Sequence, residues 1–313
     1  GASLATRLAF EVCTRIEQIT PIKSADVLTM VLLGANGRAL SQREIYQQAR
    51  EISLVTRERS LPVAQGFRLD DEEQVAAAIL SMRGSNLVKM YDKGSTPVYY
   101  IPEDQQLAAA YYRNTITHYF LAAAMGEIAL AQSIADISVP DEHCLRQRVE
   151  ALRELFKFEF FFTPKEEFWQ EVLQEVNRQY PQWHSGSSSL SRQLRNHPPR
   201  FGHAILRSIA EAYHVTASTL LPLANTAVEN DKKFIDNLVD QGKEMLLRRK
   251  ISGVSALSRD LFGTSLRLAE HRQLLRNAGT ELNAERENFV AEIRSLVSAI
   301  DLLQDCYDEV WFD

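Results

Sequence analysis

The sequence predicts a mainly helical protein: a helical bundle preceded by a small module that carries one β-hairpin. Three observations predict it. Apolar residues recur at spacings of three and four through most of the chain. Strand character is confined to two short runs, Asn86–Tyr91 and Thr96–Ile101, around Asp92-Lys93-Gly94-Ser95. The 313 residues are 45% hydrophobic and 24% charged, which is globular usage and excludes a disordered tail, a collagen-like rod and a disulfide miniprotein.

Residues 4–18 read as a helix with Leu8, Val12 and Ile16 on one stripe, stopped at Thr20-Pro21 because the residue before proline is pushed out of the helical region. Ser24 is expected to cap an apolar helix, Val27–Leu33, that ends at Gly34. Ser41-Gln42-Arg43-Glu44 is a capping box, and Ile45, Ala49 and Ile52 form the inner face of the helix it opens. Asp71-Glu72-Glu73 places negative charge at the start of a third helix carrying Val75, Ile79 and Met82. In the hairpin that follows, Gly94 is expected to supply the positive φ of the turn. Three helices and a hairpin make residues 24–104 a winged-helix-like module, after an opening helix at 1–23.

Beyond residue 104 every periodic segment is helical. Gln105–Ile137 reads as one long helix ended by Val139-Pro140, and its apolar part, Ile116–Ile134, reads as a buried core helix because it contains His118, Glu127 and Gln132. Asp141–Phe162 follows, with Leu145, Val149, Leu152 and Phe156 as its stripe; Thr163-Pro164-Lys165-Glu166 then restarts the chain, with Thr163 as cap and Pro164 at the first helical position. Residues 105–180 thus form long helices with an aromatic-rich segment. Residues 181–199, rich in serine and ending at Pro198-Pro199, read as a mobile linker. Residues 200–313 read as a C-terminal helical bundle with helices near 200–223, 228–249, 255–277 and 280–310. In the last of these, Phe289, Ile293, Leu296, Ile300, Leu303, Tyr307 and Val310 form a heptad seam.

The chemistry is constrained mostly by what is missing from the sequence. The net charge of −6 opposes a general attraction to nucleic acid or to an acidic membrane. The module at 24–104 holds nine basic and eleven acidic side chains, and its third helix opens on Asp70 to Glu73, so DNA binding is not expected. There is no phosphate-binding glycine loop, no G-x-S-x-G elbow and no H-E-x-x-H, so no cofactor and no metal are expected. Cys13, Cys144 and Cys306 are too dispersed for a disulfide frame, which suits a reducing compartment.

Two segments stand out. Ala110–Phe120 places Arg113 with Thr117, and Asn114 with His118, at helical i,i+4 spacing among aromatics. Arg113, Asn114 and His118 are therefore candidate substrate or anion contacts, against the alternative of a satisfied buried network. Phe156-Lys157-Phe158-Glu159-Phe160-Phe161-Phe162, with Phe168-Trp169, mixes rings with nearby cations. Phe156, Lys157, Phe160, Phe161, Phe162 and Trp169 are candidate membrane-interface residues, against the alternative of core filling. The cluster Arg248-Arg249-Lys250 is explained by its place at a helix C-terminus.

Several segments, in order along nearly the whole chain, carry a family resemblance: Leu8–Val12 with Ile19–Ile22, Ala110-Tyr111-Tyr112-Arg113-Asn114 with His118, Leu155–Phe161, Leu246–Ile251 and Ser255–Leu275. The chain resembles the region following the catalytic domain of large, membrane-associated bacterial glycerol-3-phosphate acyltransferases. The resemblance implies transfer of a fatty acyl group from acyl-coenzyme A or acyl carrier protein to the sn-1 hydroxyl of glycerol 3-phosphate, giving lysophosphatidic acid for phospholipid synthesis. That chemistry uses His-x4-Asp, and none of the seven histidines here is followed by aspartate at that spacing. The family's Glu-Gly-x-Arg run is absent as well. The chain therefore reads as the C-terminal part alone, inactive by itself, with no catalytic residue of its own. Its implied partners are the catalytic domain of the same protein, a membrane surface and, through that domain, the acyl donor. Its implied location is peripheral, on the cytoplasmic face of the cell membrane. Two other functions remain open at this point: a winged-helix DNA-binding regulator, and a helical scaffold whose 289–310 seam binds a partner helix.

Overall fold

The computed structural model describes residues 4–136, 141–197, 200–229, 231–276 and 281–312. The stops expected at Val139-Pro140 and Pro198-Pro199 lie outside the described residues. The chain forms two units, 1–121 and 122–313, each mainly helical; the first also holds a small antiparallel sheet.

In the first unit, α1 (Leu4–Ile19) ends before Pro21 as expected, but Leu8, Val12, Ile16 and Ile19 are exposed rather than buried. Next, α2 (Ser24–Gly34) is almost entirely buried. Its cap differs from expectation: Asp26 accepts the Lys23 backbone N–H at 3.0 Å, and Ser24 is the first helical residue. The order then runs β1 (Leu40–Ser41), α3 (Gln42–Glu58), α4 (Glu72–Gly84), β2 (Lys89–Tyr91) and β3 (Val98–Tyr100).

The capping box forms as the sequence requires. Ser41 N–H donates to Glu44 Oε2 at 2.6 Å, and Glu44 N–H donates to Ser41 Oγ at 3.3 Å. Asp71 caps α4 through Glu73 N–H at 2.9 Å and Gln74 N–H at 3.4 Å. The predicted inner faces of α3 and α4 are buried. β3 lies between β1 and β2, with Tyr99 opposite both Leu40 and Met90. Gly94 does not have a positive φ: the connection from Tyr91 to Val98 is long enough to reverse without a left-handed residue.

The long helix expected at 105–137 is two helices, α5 (Gln106–Asn114) and α6 (Thr117–Ala135). At the break the backbone tightens to bonds three residues apart, Thr115 N–H to Tyr112 O and Ile116 N–H to Arg113 O, both 3.2 Å. Because α5 packs on α2, the first unit extends past residue 104 to Leu121, where the division falls inside α6.

In the second unit, α7 (Glu142–Leu155) ends before the aromatic run rather than including it. α8 (Lys165–Gln179) takes Pro164 itself as its N-cap residue, one position later than expected. The stretch read as a mobile linker contains α9 (Ser187–Asn196), whose Leu190 and Leu194 are fully buried. Its serines occupy the outer positions of an amphipathic helix, so composition alone misreads it. The rest is α10 (Gly202–Leu220), α11 (Asp231–Leu247), α12 (Arg259–His271) and α13 (Leu282–Trp311). α10 is the hub and packs on α11, α12 and most extensively on α13. The seam of α13 is buried from Phe289 to Tyr307, and only Val310 is exposed. Since this seam is covered by the chain's own helices, the scaffold function loses its basis.

Candidate functional site

The first candidate surrounds the α5–α6 break. Arg113 is buried, and its Nε and Nη2 donate to Asn114 Oδ1 at 3.1 and 3.0 Å. Burial lowers the pKa of Arg113 to about 10, which still leaves it a cation at neutral pH. Asn114 thus serves its neighbour in sequence and holds no hydrogen bond to His118 among the described residues. The continuous-helix geometry that paired Asn114 with His118 does not exist.

His118 turns instead toward the end of α1. Tyr119, whose ring centroid is 3.9 Å from that of His118, donates its hydroxyl to Glu17 O and Thr20 O, both at 2.8 Å. These bonds satisfy carbonyls that the end of a helix leaves open. The His118 Nε2 is buried with no hydrogen-bond partner among the described residues. Burial lowers the His118 pKa from 6.5 to about 4. A histidine whose pKa falls on folding stabilises the fold above its unfolded value and withdraws that support as pH drops through the folded one. Amide-exchange protection factors in α5 and α6, corrected for the intrinsic rate at each pH, should therefore fall between pH 6.5 and 4 by the equivalent of about 2 kcal/mol after allowance for partial exposure. His118→Phe should flatten that dependence, and an unchanged pH profile would count against it.

The second candidate is the segment between α7 and α8. Its rings form an edge-to-face chain: Phe156 to Phe160 with centroids 6.2 Å apart, Phe160 to Phe162 at 6.2 Å, and Phe162 to Phe168 at 5.0 Å. Arg153 lies over Phe162 at 5.3 Å and donates to Thr163 O at 2.8 Å. Phe156 and Trp169 are buried, which corrects the expectation that they face a membrane; each fills the core beneath its helix end. Phe160, Phe162 and Lys157 are half-buried, and Phe161 points outward at 45% exposure. Lys157 Nζ lies 3.2 Å from both Glu154 Oε2 and His271 Nδ1. Glu159 ties this segment to α10 and α12 by accepting from Tyr213 Oη at 3.1 Å and from Thr264 Oγ1.

Two buried charged groups escaped the sequence reading. Glu127, on α6, accepts backbone N–H bonds from Arg200, Phe201 and Gly202 at 3.0, 3.1 and 2.6 Å, and from Gln179 Nε2 at 3.3 Å. It caps α10 from another helix. Gly202 is needed there, since a Cβ at that position would lie 2.7 Å from Leu303 Cδ1 and 3.2 Å from Glu127 Oε2. Arg286, on α13, is fully buried and donates to the carbonyls of Ala224, Thr226 and Leu274 at 2.7 to 3.0 Å. Its signal was available, because Leu282 and Arg286 continue the seam backward from Phe289 by steps of three and four.

None of this resembles an acyl-transfer centre. Among the described residues His118 Nε2, His203 Nδ1 and His214 Nδ1 are buried without a hydrogen-bond partner. No group of three His, Cys, Asp or Glu that could hold a metal is found among the described residues. Residues 2–278 match the family described as "Glycerol-3-phosphate acyltransferase C-terminal region".

The chain belongs to this family. Three relatives of the glycerol-3-phosphate acyltransferase C-terminal chain, one from Mycobacterium bovis and two from strains of Mycobacterium tuberculosis, bear the name "Putative acyltransferase plsB1". Each is 30% identical over 310 residues, covering 96% of this chain and 49% of the relative. The chain spans about half the length of these relatives. No helix among the described residues is long and apolar enough to cross a membrane.

Proposed function

We propose that this chain is the non-catalytic helical region of a glycerol-3-phosphate 1-O-acyltransferase, an enzyme that makes lysophosphatidic acid from glycerol 3-phosphate and an acyl thioester. The single observation that carries this is the family match over residues 2–278 in a chain with no His-x4-Asp. Its role is to support the catalytic domain of the same protein and to help hold it, peripherally, at the cytoplasmic face of the membrane. We assign Arg113, Asn114 and His118 to the internal support of the first unit rather than to substrate, because the guanidinium is buried against its own neighbour. Residues 24–104 serve as a winged-helix-like packing module. The order helix, strand, helix, helix, strand, strand supports the likeness, and the acidic start of α4 argues against DNA.

Incubating the chain with acyl-coenzyme A and glycerol 3-phosphate should yield no lysophosphatidic acid; turnover would sink the non-catalytic assignment. For the membrane part, the outward Phe161 with half-buried Phe160 and Phe162 is the contact. Liposome flotation of the chain should weaken at least tenfold on replacing Phe160, Phe161 and Phe162 together by alanine, given roughly 2 kcal/mol for each fully inserted ring. Phe161→Ala alone avoids disturbing the buried end of the ring chain and should show part of the loss.

A further inference from the structure

The C-terminal end of α11 combines two exposures that the fold does not require. Leu247 is 85% exposed, higher than any other large hydrophobic side chain among the described residues. The three residues after it, Arg248, Arg249 and Lys250, are all exposed cations. The chain reverses here in a Schellman turn: Lys250 N–H donates to Met245 O at 2.8 Å and Arg249 N–H to Leu246 O at 2.9 Å. The left-handed position of that turn, usually glycine or asparagine, is Arg249 with φ of 54°. Buried Met245 and Ile251 anchor the turn on either side, so its outward residues are held in place.

The surrounding charge is mostly unopposed. Arg248 pairs with Glu244 at 2.9 Å, while Arg249 and Lys250 hold no ion pair among the described residues. The carboxylate that meets the chain just after the turn, Glu211, is buried and accepts the Ser252 N–H at 2.9 Å. The nearby carboxylate of Asp301 is taken up by Arg207 at 2.7 Å. The dipole of α11 explains one or two cations at its end but not an exposed leucine among them.

Building on the membrane role proposed above, we propose that the Leu247–Lys250 turn is a contact site for an anionic phospholipid bilayer. Charge complementarity favours negatively charged headgroups, and a protruding leucine enters an acyl region without needing a shaped partner surface. An acidic protein would offer the charge but requires a matched pocket for the leucine. This site is separate in sequence from the aromatic segment, and its charge dependence distinguishes the two.

The test is flotation of the chain on neutral phosphatidylcholine vesicles and on vesicles that also contain phosphatidylglycerol. The chain should prefer the anionic vesicles, and the preference should collapse in high salt. Arg249→Asn with Lys250→Gln keeps a residue tolerated in the left-handed position. It should weaken anionic binding about 25-fold, from about fivefold per cation, and leave neutral binding unchanged. Leu247→Gln should weaken it about tenfold with no change in thermal unfolding. Phe161→Ala should lower binding to both vesicles alike; if it alone matters, the turn is not a lipid site while the aromatic contact stands. If Phe161→Ala has no effect and the cation variant does, the aromatic contact fails and the turn stands. Equal binding to both vesicles, no effect of the cation variant, or capture by polyglutamate in place of vesicles would overturn the proposal.

Discussion

Replacing Arg286 by methionine should lower the thermal midpoint of the second unit by roughly 10 °C, from a loss of about 3–5 kcal/mol. The reason is the number of acceptors the guanidinium serves at once. Its Nε and Nη2 donate to Leu274 O at 3.0 and 2.8 Å, its Nη1 to Ala224 O at 2.7 Å, and its Nη2 to Thr226 O at 3.0 Å. These carbonyls lie just beyond the ends of α12 and of the 3-10 turn that follows α10, where the helices no longer satisfy them. Methionine fills the volume but strands the buried Leu274 carbonyl, at about 1–3 kcal/mol, and removes the bonds to Ala224 O and Thr226 O, whose residues are exposed, at about 1 kcal/mol each. Arg286→Lys should recover only a small part, since one ammonium cannot reach all three in the planar arrangement the guanidinium provides. Calorimetry or circular dichroism melts of the three proteins decide it. Equal midpoints would show that the carbonyls find other partners.

Glu127→Ala should be comparably damaging, at about 3–5 kcal/mol, because it orphans the N–H groups of Arg200, Phe201 and Gly202 at the start of the hub helix and leaves a cavity. Glu127→Gln should cost less, since its one carbonyl can still accept from Phe201 and Gly202 while its NH2 faces the Arg200 N–H. The two variants also differ in their pH response. Burial raises the Glu127 pKa above the ordinary glutamate value of 4.5, although the three N–H bonds oppose the shift. A raised carboxylate favours the fold most when protonated. Its contribution is therefore full below pH 4.5 and declines as pH rises through the higher folded value. That decline should be present in the parent chain and missing in Glu127→Gln. Identical urea midpoints for both across this range would refute the assignment.

Much of the fold was legible because its signals are local. The Ser41–Glu44 capping box, the acidic start of α4 and the inner faces of α3 and α4 depend on residues within a few positions of one another, and all formed as read. The seam of α13 was legible for the same reason, since a heptad needs no knowledge of its partner. The misreadings arose where a local signal competed with distant contacts. Serine content at 187–191 suggested a linker, yet Leu190 and Leu194 found a buried surface and the segment became helical. Continuous periodicity from 105 to 137 hid a break after Asn114, and the break dissolved the Asn114–His118 pairing on which one candidate site rested.

From the amino-acid order alone follow the helical class, the family, and the lack of any histidine placed before an aspartate at the catalytic spacing. These are properties of neighbours along the chain, and neighbours need no folding to be counted. Only the tertiary structure revealed that Phe156 and Trp169 face inward while Phe161 and Leu247 face out, that Glu127 caps a helix 75 residues further on, and that Arg286 ties together two connecting loops. The physical reason is that burial and hydrogen-bond satisfaction belong to surfaces assembled from distant segments, so the same residue type can be core, cap or contact according to what is brought against it.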